Sequence, residues 1–187
     1  ALERRDERLL PLVIDSPAEF IDMGSIDGYY GPYQFERYDL PFFQKYTRIL
    51  RGKGKICATH AHSSTLRSLK HLMGKTGLDV IEAFTPPPIG DLSVAEAREA
   101  WGDDTVIWVN FPETLFWSGP EETRKYTIDL LRSDAPGNRL VIGMTEMGTT
   151  GIKDAESERV YRSGMNALAD VLNDQGTYPI EGNGKGT

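Results

Sequence analysis

Four short apolar runs recur along the chain at intervals of 24 to 34 residues: KICATH (55–60), DVIEAF (79–84), TVIWVN (105–110) and RLVIGM (139–144). Each is rich in β-branched or aromatic residues and short enough for a strand. A longer stretch with helical periodicity follows each one, at 64–75, 93–101, 120–132 and 155–174. Strands separated by helical crossovers can return in the same direction, which hairpin-linked strands cannot, so this alternation calls for a parallel sheet. Helix start signals agree. Ser93 precedes Glu96 by three residues, the spacing of a capping box, and Pro120 suits a first helical position with Glu121 and Glu122 behind it. Near 19–24 the chain reads either as a fifth strand or, because Ser16-Pro17-Ala18-Glu19 leads into it, as the opening of a short helix. Residues 33–51 read as a helix that Pro41 divides in two. The expectation is a single α/β domain over 1–187 with about five consecutive βα units. PPPIG (86–90) reads as a rigid loop, and 176–187 as a Gly-rich, flexible tail.

The 187 residues suffice for one substantial core. Net charge is −7 with no long run of one sign, so a nucleic-acid partner is not expected. One cysteine, Cys57, rules out an internal disulfide and fits a reducing, cytoplasmic setting. No stretch is apolar enough to span a bilayer, so no membrane association is expected. The opening ALERRDERLL lacks the apolar centre of a signal peptide and reads as the end of a helix.

Strands buried on both faces are apolar throughout, so polar side chains at their ends call for a reason. His60 and His62 close the first of the four runs, Glu82 and Thr85 the second, and Asn110 the third. Thr145 and Glu146 follow the fourth, and Asp27 follows the segment near 19–24. In parallel α/β folds, ligands bind at this C-terminal edge. Residues two apart share a face, which groups Ile56, Ala58, His60 and His62, then Val106, Trp108 and Asn110, then Ile142, Met144 and Glu146. Asp27 reads as a turn residue or a catalytic one. Tyr29, Tyr30, Phe111, Phe116 and Trp117 read as core or as walls of an apolar pocket. His71 reads as surface, and GTTG (148–151) does not fit a phosphate-binding loop.

The stretch from GKICATHAHSST through GLDVIEAFTPPPIGDLSVAEAREAW and VIWVNFPE to RLVIGMTEMGTTG resembles the uroporphyrinogen decarboxylase superfamily, which includes the corrinoid-dependent methyltransferases. The upstream IDGYYGPYQFERYDLPFFQKYTRILRGKGK is similar to the family's Pro-interrupted helical region. The resemblance spans about residues 16 to 175. It implies a partial (β/α)8 TIM barrel, the C-terminal five or so of eight units. A missing N-terminal portion or another copy of the chain is then expected to complete the barrel.

In the methyltransferase branch the strand matching 55–62 carries a His-x-Cys zinc-ligand pair, with a further Cys on the last strand. Here His60 takes the His position, His62 the first Cys position, and Glu146 falls near the last-strand position. Cys57 is placed to face away from His60. The resemblance therefore implies a divalent metal, zinc first, on His60, His62 and Glu146, with Fe²⁺ also compatible. It also implies a corrinoid protein partner and a methoxylated or methylated small-molecule substrate. Glu146, Asn110 and Glu82 are the candidate catalytic residues, Glu82 in a substrate-binding or supporting role and Asn110 as a hydrogen-bond donor. Two other readings stand beside this one: a porphyrinogen decarboxylase without a metal, and a non-catalytic half-barrel needing a partner chain. His60 and His62 would then be hydrogen-bonded strand-end residues only.

Overall fold

The computed structural model describes residues 2–29, 31–61, 64–144 and 151–177. Five strands form one sheet: β1 (Phe20–Ser25), β2 (Ile56–His60), β3 (Val80–Phe84), β4 (Val106–Asn110) and β5 (Leu140–Gly143). They lie in chain order, β1-β2-β3-β4-β5, and every neighbouring pair is parallel. Helices alternate with the strands, the arrangement of a partial βα barrel. The segment near 19–24 is a strand, and the helical alternative there is overturned by its pairing with β2. Among the described residues, no helix is long and apolar enough to cross a membrane.

The helices follow the sequence signals where local capping is strong. Helix α1 (Leu2–Asp15) leads into β1. A short helix, α2 (Pro32–Gln34), runs through a π-turn at Phe35–Asp39 into α3 (Leu40–Arg51). Pro41 follows directly on that π-helical turn, where Leu40 N–H already reaches back five residues to the Phe35 carbonyl. The wider turn accommodates a residue without an N–H, so the boundary predicted at Pro41 is a π-turn and not a break. The helix expected over 64–75 is shorter. It consists of a 3-10 turn at Arg67–Leu69 and α4 (Lys70–Met73). Its expected first turn bonds elsewhere: Asp91 N–H donates to the Ser64 carbonyl at 3.0 Å, and the Asp91 carboxylate accepts the Arg67 N–H at 3.0 Å. Gly74 caps it and lies so close to the Ala100 carbonyl oxygen that a Cβ there would come within 2.3 Å.

Helix α5 (Val94–Trp101) opens on the Ser93–Glu96 capping box. After α6 (Thr114–Trp117), which the sequence reading did not anticipate, α7 (Pro120–Ser133) begins with Pro120 in its first turn. The last helix, α8 (Ala155–Gln175), is capped by Asp154.

Strand alternation gives the sheet two unlike faces. On one, Cys57, Thr59, Ile81, Phe84, Ile107 and Val109 are at most 1% exposed. All but Thr59 join a core with Phe43 and Leu50 of α3, Trp101 of α5, Leu130 and Leu131 of α7, and Leu168 of α8. On the other face Ala58 and Val80 are buried, but Phe20 and Ile56, paired across β1 and β2, are 44% and 43% exposed, and Val141 on β5 is 37% exposed. Leaving such side chains half in water forgoes about 1 kcal/mol each.

A buried ion pair locks the N-terminal edge of β4 and β5. Asp134, at the end of α7, has a fully buried carboxylate held by Arg98 through Nε (2.7 Å) and Nη2 (3.3 Å). The same guanidinium donates to the carbonyls of Gly102, Thr105 and Arg139. Every lobe of this planar fork therefore has an acceptor, which offsets the desolvation of the charge.

Two outcomes follow. Arg98→Met leaves Asp134 buried without its cation and should destabilise the protein by about 3–5 kcal/mol in urea denaturation, with much of the loss recovered in Arg98→Met/Asp134→Leu. Glu96 is held at about 2, below its ordinary 4.5, first by the Ser93 hydroxyl and backbone and then by Arg67. A depressed carboxyl contributes stability above the unfolded value that is lost as pH falls toward the folded one. Glu96→Gln should therefore flatten the acid-unfolding profile between about pH 4.5 and 2 relative to wild type.

Candidate functional site

Near their C-terminal ends, β1 and β3 each carry one residue more than the neighbour they pair with. The register passes from Asp22↔Ala58 to Ser25↔His60, and from Ile81↔Ile107 to Phe84↔Val109. Three steps on one strand against two on the other make a β-bulge in each case, a device that re-aims side chains beside sites. Gly24 supplies φ +106° in the first bulge, where the absence of Cβ makes the conformation inexpensive. Ala83 takes φ +57° in the second, at a cost of about 1–2 kcal/mol for a residue with a Cβ.

A carbonyl in each bulge accepts a hydrogen bond from a buried threonine. Thr59 Oγ1 donates to the Gly24 carbonyl at 2.6 Å, and Thr85 Oγ1 donates to the Ala83 carbonyl at 3.2 Å. Asn110, at the end of β4, donates from Nδ2 to Thr85 Oγ1 at 3.1 Å. Asn110, Thr85 and the β3 bulge thus form one hydrogen-bonded chain beside Glu82.

The central feature is a pair. His60 and Glu82 are register partners across β2 and β3, and His60 Nδ1 lies 2.6 Å from Glu82 Oε2. Their side chains are 34% and 20% exposed, so the pair is sheltered but open to the face that carries no helix. A carboxylate can only accept, so Nδ1 donates. In the neutral ring the lone pair then lies on Nε2. Such a pair fixes the orientation and tautomer of an imidazole.

Three of the predicted site residues, His60, Glu82 and Asn110, are brought to one end of three adjacent strands. His62 and Glu146 lie outside the described residues, as do Tyr30, Thr145 and the first three residues of GTTG. Among the described residues, no group of three or more His, Cys, Asp or Glu is placed to hold a metal ion. Cys57 lies on the helix-covered face, away from His60, and burial followed by the nearby Asp79 pushes its thiol up to about 11. It is not a ligand or nucleophile in this arrangement.

Asp27 does turn work, accepting the Tyr29 N–H at 3.1 Å. Phe111 and Phe116 are buried and stack on each other in the core at 5.3 Å, and the half-buried Trp117 packs on Tyr161. Tyr29 is exposed, and so is His71, as read from the sequence.

Two features escaped the sequence reading. The bulge-bonding role of Thr59 and Thr85 had as its only signal a polar residue inside or just beyond an apolar strand. Trp108 covers β5 so closely that a Cβ at Gly143 would come within 2.6 Å of its Nε1. A Trp whose neighbouring strand offers a Gly at the same end was the available sign. No protein-family model matches the sequence, and no curated protein matches it.

The β3 bulge gives a direct test. Ala83 is fully buried in a left-handed conformation. Ala83→Val should cost about 2–3 kcal/mol through strain and overpacking, while Ala83→Gly should stay within about 1 kcal/mol of wild type, both read by chemical denaturation.

Proposed function

We propose that this chain is the C-terminal part of a barrel enzyme of the uroporphyrinogen decarboxylase superfamily, acting as a metal-assisted, corrinoid-dependent methyltransferase on a methoxylated or methylated small molecule. The observation that carries this reading is the His60–Glu82 hydrogen bond. Metal-ligating histidines characteristically donate their second ring N–H to a carboxylate, which fixes the ring and raises its basicity. A histidine so held, at the C-terminal end of a parallel strand and on the open face, is suited to bind a metal through Nε2.

In this reading His60, His62 and Glu146 hold a divalent ion, zinc first, and three protein ligands leave a position for substrate. Glu82 positions His60 and does not itself act on the substrate. Asn110, tied to Thr85, presents an amide at the mouth for hydrogen bonding to a polar group of the substrate. When bound, the metal supplies Lewis-acid polarisation of the ether oxygen, and a corrinoid protein partner accepts the methyl group. The exposed Phe20, Ile56 and Val141 belong to the same proposal, as the part of a barrel interior that further βα units, from an upstream portion or another copy, would cover.

Elemental analysis of the purified protein tests this. About one zinc per chain is expected, with loss in His60→Ala and His62→Ala and a smaller loss in Glu146→Gln. Glu82→Gln should weaken metal affinity about 10–100-fold without unfolding the protein. Wild-type protein that binds no divalent metal on titration would overturn the methyltransferase reading and favour a metal-free decarboxylase.

A further inference from the structure

From Leu40 to Leu78 the chain contains eight Lys and Arg and not one of its 28 Asp and Glu. In a protein of net charge −7 this is a concentrated reversal of sign. The fold gathers part of it at the N-terminal end of the sheet, opposite the His60–Glu82 pair. There the last turns of α3 and the loop leading to β3 enclose a cleft of about 480 Å³. Arg48, Arg51 and Lys75 line it, together with Gln44, Thr47 and Thr76, and none of its lining residues is acidic.

The nearest carboxylate is already engaged. Asp79 bonds Arg51 Nε at 3.1 Å through one oxygen and accepts the Cys57 N–H at 2.8 Å through the other. Arg48 and Lys75 have no carboxylate partner among the described residues. Two cations therefore face one cleft uncompensated, with a third shared with a single acid.

We infer that this cleft, lined by Arg48, Arg51 and Lys75, binds the phosphate group of a small phosphorylated molecule. A compact dianion satisfies several cations at once, and guanidinium geometry suits phosphate oxygens. The cleft is small, and the acids all lie outside the basic segment, so a long polyanion is repelled by the surrounding surface. The inference is independent of the proposed activity, since it concerns the other end of the sheet.

The test is titration of the purified protein with inorganic phosphate and with phenyl phosphate, followed by amide and guanidinium NMR shifts and by thermal unfolding. Sodium chloride at matched ionic strength is the control. Saturable shifts at Arg48, Arg51 and residues 75–77 are expected, with a melting temperature that rises with phosphate and not with chloride. Arg48→Ala/Lys75→Ala should weaken binding at least tenfold, while Lys125→Ala, an exposed cation elsewhere, should leave it unchanged. Equal responses to phosphate and chloride would overturn the inference. So would a double variant that loses stability but keeps its phosphate response, because Arg48 would then serve only the C-terminal dipole of α3.

Discussion

Because each strand runs parallel to the one before it, the chain must cross back over the sheet after every strand. Repeating that crossing with helices gathered on one side leaves the other side without helical cover. The difference between Cys57 or Ile107, fully buried, and Phe20 or Ile56, nearly half exposed, is the direct consequence. The same pairing fixes which side chains meet. His60 opposes Glu82 because β2 and β3 are parallel and in that register. A slip of one residue would send one of the two into the helix-covered core.

The two bulges modify this plan where the polar residues gather. Each shifts the register of its strand near the C-terminal end, and the Gly24 and Ala83 carbonyls there each accept a hydrogen bond from a buried threonine hydroxyl. The left-handed Ala83 is a strained residue in the middle of this network. Its strain is sustained by burial on all sides and by the Asn110–Thr85 link. The opposite edge is tied by a different means, the Arg98 fork that joins α5, α7 and the starts of β4 and β5.

Charge is partitioned along with structure. The acid-free segment from Leu40 to Leu78 supplies both β2, whose end carries His60, and the basic cleft beneath it. One βα unit thus carries polar chemistry at both ends of the sheet, with Cys57 and Thr59 sealed between them.

The sequence by itself determined the class of fold. β-branched runs at regular spacing, capping at Ser93 and Pro120, and the position of His60, Glu82 and Asn110 at strand ends are all set by local chemistry, which needs no knowledge of neighbours. The tertiary structure decided what local chemistry leaves open. It shortened the helix over 64–75, because Asp91 claimed its first turn. It placed Phe111 and Phe116 in the core, because helices packed over them, and it gave Asp27 to a turn. It also turned Glu82 from an isolated acid into the partner of His60. Register is a property of two strands together, and bulges change it by one residue, so no single segment encodes that contact.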